Sequence, residues 1–173
     1  MLPLLRARRS IRKFTTQAVG ADAVEALREA VLRSPTSRNY ESWRFVFVDD
    51  PAQLAQLARC KPHGASFIGQ APLAVVVCGD ETRSDVWVED CSIASIVLQL
   101  AAQALDLGSC WVQVRLRPHD EQRTAESFVQ ELLGLPPQLR VESIIALGHG
   151  AEERAGRASD TLAWDHIRQN RWE

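Results

Sequence analysis

The stretch that most constrains this chain is residues 87–107, which open on Trp87-Val88 and run to a stop at Gly108. Wound as a helix, the segment is apolar nearly all the way round, with Ser92, Ser95 and Gln99 forming one thin stripe of polar groups. A helix of that kind must be covered on nearly every side. Ser92, Ser95, Gln99, Gln103 and Asp106 make residues 91–107 too polar and too short to cross a bilayer. The cover must therefore come from protein. With 173 residues, 46% of them hydrophobic, the chain can build one compact domain with a core, and too little for two. In so small a domain, part of the cover is expected from a second copy.

The rest of the chain alternates helix and strand signals, with no internal repeat, low-complexity tract or linker. Residues 2–9 and 22–33 read as helices. The second has Asp22 as N-cap with Glu25 three positions on, and Val24, Leu27, Val31 and Leu32 on one face. Residues 44–48 read as a strand, and Pro51 opens a helix to about residue 59. The run 73–78, between Ala71-Pro72 and Gly79-Asp80, reads as a buried central strand. A strand at 110–114, an amphipathic helix at 120–133 ending at Gly134, and a last strand at 141–147 complete the set. Residues 151–173 are polar apart from Leu162, Trp164, Ile167 and Trp172. A tail with two tryptophans needs a surface to lie on, and a partner chain would provide one.

A net charge of −2, with 24% charged residues and no long basic block, points away from nucleic acid. The first ten residues lack the apolar core of a signal peptide, so a cytoplasmic protein is expected, with no membrane partner. Cys60, Cys78, Cys91 and Cys110 show neither CxxC spacing nor a histidine at metal-site spacing; they read as free thiols, and no metal site is expected. His63, His119, His149 and His166 have no neighbours that would make an acid or base, and no catalytic triad is visible.

Three segments carry ligand-type chemistry. Residues 8–14 read Arg8-Arg9-Ser10-Ile11-Arg12-Lys13-Phe14. If extended, they project Arg8, Ser10 and Arg12 to one side, two guanidinium forks and a hydroxyl suited to phosphate. The plainer alternative is a solvated basic patch at a helix C-terminus. Residues 33–39, Arg33-Ser34-Pro35-Thr36-Ser37-Arg38-Asn39, form a donor-rich turn or simply a connecting loop. Residues 108–113 place Trp111 where a helix gives way to a strand, which also suits a core tryptophan.

In order and spacing, these segments resemble the nitroreductase family. Its opening R-R-S-x-R-x-F is matched by Arg8, Arg9, Ser10, Arg12 and Phe14. The turn A-P-S-x-x-N-x-Q-P-W corresponds to residues 34–43, with Glu41-Ser42-Trp43 in place of Q-P-W. An A-P plus apolar strand follows at Ala71-Pro72. D-C-S-x-A lies at Asp90-Cys91-Ser92-Ile93-Ala94, and G-x-x-W runs from Gly108 to Trp111. L-G-L-P and an L-x-W-x-x-I tail close the chain.

The resemblance implies an α+β fold, with a mixed central sheet flanked by helices, in a two-fold homodimer with two FMN sites at its interface. Arg8, Arg9 and Ser10 would hold the FMN phosphate and ribityl chain, and Arg12 would lie near flavin N1 and the C2 carbonyl. Arg33, Pro35, Thr36, Ser37 and Asn39 would come from the other subunit. Trp111, Val112 and Gln113 would line the ring near N5 by backbone contacts, and Arg157, or else Arg154, would complete phosphate binding. The departure at Glu41 removes a carboxamide donor. The implied activity is ping-pong transfer of hydride from NADH or NADPH, through flavin N5, to a small acceptor such as a nitroaromatic or quinone. A flavin carrier or redox sensor, a relative performing reductive dehalogenation, and a plain phosphate-binding module are the alternatives.

Overall fold

The structure is a computed structural model and describes residues 1–172. Five helices and four strands follow one another as α1 (Leu2–Ala7), α2 (Ala21–Leu32), β1 (Trp43–Val48), α3 (Pro51–Leu57), β2 (Leu73–Asp80), α4 (Trp87–Ala104), β3 (Gly108–Gln113), α5 (Ala125–Leu133) and β4 (Leu139–Gly148). The strands form one sheet in the order β1-β2-β4-β3. All three pairings are antiparallel, so the expected mixed sheet is corrected: parallel pairing is confined to an isolated bridge between Ser10 and Ser109. β2 is central and buried along its length, as its unbroken Leu-Ala-Val-Val-Val-Cys run requires.

Side-chain alternation divides the core in two. Ala74, Val76, Cys78, Val112, Val141, Ile144 and Ala146 point toward α3 and α5. Leu73, Val75, Val77, Ile145 and Leu147 point toward α2 and α4. The register between β2 and β4 slips after Val77↔Ser143, because Cys78 pairs with Val141 and Glu142 becomes the extra residue of a bulge.

Helix caps moved some boundaries. α2 starts at Ala21 with Gly20 as its N-cap, in place of Asp22, which sits in the first turn with no capping bond. α3 is capped by Asp50, whose carboxylate accepts from the Gln53 N–H. α5 begins at Ala125 instead of residue 120, because the Asp120 carboxylate is spent on a tight turn, accepting from Gln122 and Arg123 N–H, and Thr124 then caps the helix. Gly134 ends it in the left-handed conformation (φ 62°).

The polar stripe on α4 faces inward. Ser95 and Gln99 are buried, with Ser95 Oγ 3.2 Å from Ser143 Oγ, whereas Ile93 and Ile96 are exposed. The apolar side left open is thus the one opposite the sheet. The tail beyond Gly150 makes two short 3-10 turns, Ser159–Thr161 and Trp164–His166, and leaves Trp164, Ile167 and Trp172 largely exposed. The tail was expected to span 151–173, and Glu173 lies outside the described residues. No helix among the described residues is long and apolar enough to cross a membrane.

Candidate functional site

Residues 9–15 run extended between the end of β4 and the start of the tail. Ile11 N–H donates to the Ser109 carbonyl (3.0 Å), Thr15 N–H to His149 (2.9 Å), and Ala151 N–H back to Lys13 (2.8 Å). Phe14 anchors the segment in the core, and Ile11 packs against it. Once the backbone is pinned in this way, Arg8, Ser10 and Arg12 line one cleft, as the alternation predicts.

The tail supplies the opposite wall of that cleft. Arg154, Arg157, Ser159, Leu162 and Trp164 meet Arg6, Arg8, Arg9, Ser10 and Arg12, with Leu2 and Leu5 of α1 as an apolar flank, around a volume of about 910 Å³. Arg9 donates from Nη1 to the Ala155 carbonyl (2.9 Å), so part of its guanidinium is committed to holding the tail. Gly156 lies so close to the Arg6 carbonyl that a side chain there would collide with it. Among the described residues, six arginines and no acidic residue line the cleft. Such a concentration of guanidinium groups suits a multiply charged oxyanion such as a phosphate monoester.

The cleft's field reaches the buried thiol beneath it. Burial pushes the Cys110 thiol up; Arg12, the Ser10 hydroxyl, Arg8 and Arg154 pull in the other direction. Burial likewise raises Cys60 to about 11 and Cys78 to about 12. These thiols are therefore protonated at neutral pH and do not act as nucleophiles.

The second expected segment sits elsewhere. Arg33 is exposed and pairs with Glu29 (2.6 Å), Pro35 and Asn39 are exposed, and Thr36 and Ser37 are half-buried; none of the five lines the cleft. The turn has a firm architecture of its own. Arg38, Asn39 and Glu41 all adopt left-handed backbone conformations (φ 50°, 56° and 48°), which side-chain-bearing residues rarely do. The buried carboxylate of Asp90, on α4, holds it: Oδ1 accepts from Ser37 N–H (2.9 Å), and Oδ2 from Ser42 Oγ (2.7 Å) and Ser84 Oγ (3.4 Å). Thr36 Oγ1 accepts from Glu41 N–H (3.0 Å). At the turn's entrance, the Ser34 hydroxyl is buried without a hydrogen-bond partner.

The third segment is the sheet's outer edge. Ser109 and Gln113 aim their carbonyls away from β4, where they accept from Ile11 N–H and from Lys61 Nζ (3.0 Å). Trp111 has the same parity, so its N–H and C=O share that edge. Val112 turns its side chain into the core and can offer only backbone, while Trp111 Nε1 donates to Gln113 Oε1 (3.0 Å). Arg12 crosses from the cleft toward this region, its guanidinium 5.9 Å from the Phe67 ring centre.

Three residues with contacts to these segments were not among the expected site residues: Asp90, Lys61 and Phe67. Asp90 stands in the D-C-S-x-A motif, but nothing local marks it as the anchor of a turn 48 to 53 positions away. Lys61 was legible as one of two lysines, at the start of a segment, 61–70, expected to bear on substrate choice.

Known proteins share this pattern. The pattern of the nitroreductase family matches residues 5–61 and 59–149. A protein of Archaeoglobus fulgidus named "Putative NADH dehydrogenase/NAD(P)H nitroreductase" is 32% identical over 99% of this chain and 98% of its own length. A like-named protein of Methanothermobacter thermautotrophicus is 30% identical over 99% of this chain and 87% of its own. Among solved structures, an FMN-dependent nitroreductase from Clostridium difficile superposes with a TM-score of 0.98 at 37% identity, covering 99% of this chain and all of the other.

Proposed function

Because this chain belongs to the nitroreductase family, we propose that it is an FMN-dependent NAD(P)H oxidoreductase that passes electrons to a small acceptor such as a nitroaromatic or a quinone. The observation that carries the reading is the cleft lined by six arginines and no acid. FMN's phosphate would supply the missing negative charge, and the residues lining the cleft fit it. Arg8, Arg9 and Ser10 bind the phosphate and ribityl end, and Arg154 and Arg157 close over it from the tail. Arg12 extends toward the ring and presents a fixed positive charge at its pyrimidine edge. The Trp111–Gln113 edge offers backbone groups along the ring.

When bound, the flavin supplies the redox chemistry, accepting hydride from NAD(P)H and reducing the acceptor. The protein's share is binding, orientation and electrostatics. Arg12 is placed to favour the ring's added negative charge, a contribution of about 3 kcal/mol for a preorganised donor.

We further propose a two-fold homodimer. Ile93 and Ile96 leave an apolar face on α4, and the tail exposes Trp164, Ile167 and Trp172. A second copy covers both and brings residues 33–39 to the flavin, with Arg33, Pro35, Thr36, Ser37 and Asn39 contributing from the partner and the orphaned Ser34 hydroxyl beside them. Four free thiols suit a reducing, cytoplasmic setting.

Steady-state kinetics test the activity. Varying NADH or NADPH against a quinone should give parallel double-reciprocal lines. A flavin-loaded protein that oxidises neither nucleotide with any acceptor would instead be a carrier.

A further inference from the structure

Glu152 does not line the cleft, yet it touches two of the residues that do. Its Oε1 accepts from the backbone N–H of Arg12 (2.7 Å) and of Lys13 (3.3 Å), and its Oε2 accepts from Nη2 of Arg154 (3.1 Å). Two successive N–H groups thus converge on one carboxylate oxygen. The Arg12 N–H, followed by Arg154, holds the carboxyl below the usual glutamate range. Its side chain is only 15% exposed, so this is a seated contact rather than a solvated one. One carboxylate thus fixes Arg12 through its backbone and Arg154 through its guanidinium, although Glu152 and Arg12 stand 140 positions apart.

We propose that Glu152 is a positioning residue that sets the preference for phosphorylated flavin, by fixing the Arg154 guanidinium over the phosphate end of the cleft and tying the tail that carries it to residues 12–13. This rests on the FMN reading above. An acid beside a phosphate site would by charge alone weaken phosphate binding. The three hydrogen bonds turn the carboxylate toward the donors behind the cleft, and no carboxylate is among the groups lining it. Arg12, the ring contact, meets Glu152 only through its backbone N–H, in a segment also pinned at Ile11, Lys13 and Thr15, so riboflavin should be indifferent to Glu152.

The test titrates flavin-free dimer with FMN and, separately, riboflavin, following the quenching of flavin fluorescence. Wild-type protein should prefer FMN. Glu152→Gln should lose about tenfold to a hundredfold in FMN affinity, the range for losing hydrogen bonds to a charged group, with riboflavin affinity unchanged. Glu152→Asp, too short to span both partners, should fall between. Arg154→Ala, on the exposed tail, should reproduce the FMN-specific loss, and combining it with Glu152→Gln should add little. Equal losses for both flavins, or an unchanged FMN preference in Glu152→Gln, would overturn the proposal while leaving the FMN reading intact. If Glu152→Gln does not fold, an unchanged preference in Arg154→Ala overturns it instead. Wild-type protein with no preference for FMN would sink the FMN reading and this inference with it.

Discussion

Asp90 and Glu152 do the same job in two different media. Each is a carboxylate that gathers donors from a segment distant in sequence, Asp90 from residues 37–42 and Glu152 from residues 12–13. Asp90 is 2% exposed, under a helix, and locks a turn that carries three left-handed residues. Glu152 lies just beyond the end of β4 and ties down a tail whose other described residues are exposed. A buried acceptor cannot be replaced by water, so losing it costs the full desolvation of its donors; a peripheral one can be replaced in part. The comparison teaches that the turn is part of the fold, whereas the cleft is assembled on top of it. Stability should reside with Asp90 and ligand selectivity with Glu152.

The largest effect expected is on Asp90. Asp90→Ala leaves the Ser37 N–H and the Ser42 hydroxyl without their acceptor and should cost about 3 kcal/mol, lowering the melting temperature by roughly 10 °C. A melt within about 2 °C of wild type would break the contrast. Next comes Arg12→Ala, which should slow flavin reduction by NAD(P)H about a hundredfold in stopped flow while leaving the melt nearly unchanged, since the side chain is exposed. An unchanged reduction rate would remove Arg12 from the chemistry.

Glu142 offers a third carboxylate that sharpens the comparison, being buried like Asp90 but poorly served. Its Oε2 has no hydrogen-bond partner. Burial raises its pKa, against the opposing pull of the Ser143 and Ser92 hydroxyls and of Arg115. The folded state therefore holds the proton more tightly than the unfolded chain. The stability this gives is present below the ordinary glutamate range and lost as pH climbs through it to the raised value. Glu142→Gln has no proton to lose. It should melt higher than wild type at mildly alkaline pH, by about 1 kcal/mol or roughly 3 °C, with the advantage gone below about pH 4. A variant less stable than wild type at alkaline pH would show that the carboxylate is well solvated.

The smallest effect expected is at Arg38. Glycine there relieves a left-handed φ but loosens the unfolded chain, for a net gain of about 0.5 kcal/mol in a denaturant melt. A loss of stability would mean that the stacking of Arg38 near Tyr40 outweighs the strain.

Much of this was legible in the sequence because it is periodic or local. The apolar run of β2, the amphipathic face of α5 with Gly134 after it, and the alternation of Arg8, Ser10 and Arg12 follow from repeat lengths of two and 3.6 residues. What was missed is non-local. The helical pattern asks for cover on nearly every side of α4 without saying what meets the stripe of Ser95 and Gln99; that side is buried, and Ser143 on β4 supplies a hydroxyl partner that no helical pattern encodes. The mixed sheet gave way to antiparallel pairing, since strand direction depends on how the connections cross and not on strand composition. Glu152 reads as one acid in a polar tail until the tail folds back onto residues 12 and 13.

The most direct test of the central claim is an anaerobic absorbance titration of the purified protein with NADH or NADPH. The purified protein should be yellow, with flavin bands that bleach on addition and return when a quinone is supplied. A colourless protein that takes up no added FMN would contradict the claim, and would leave the arginine cleft as a site for some other anion.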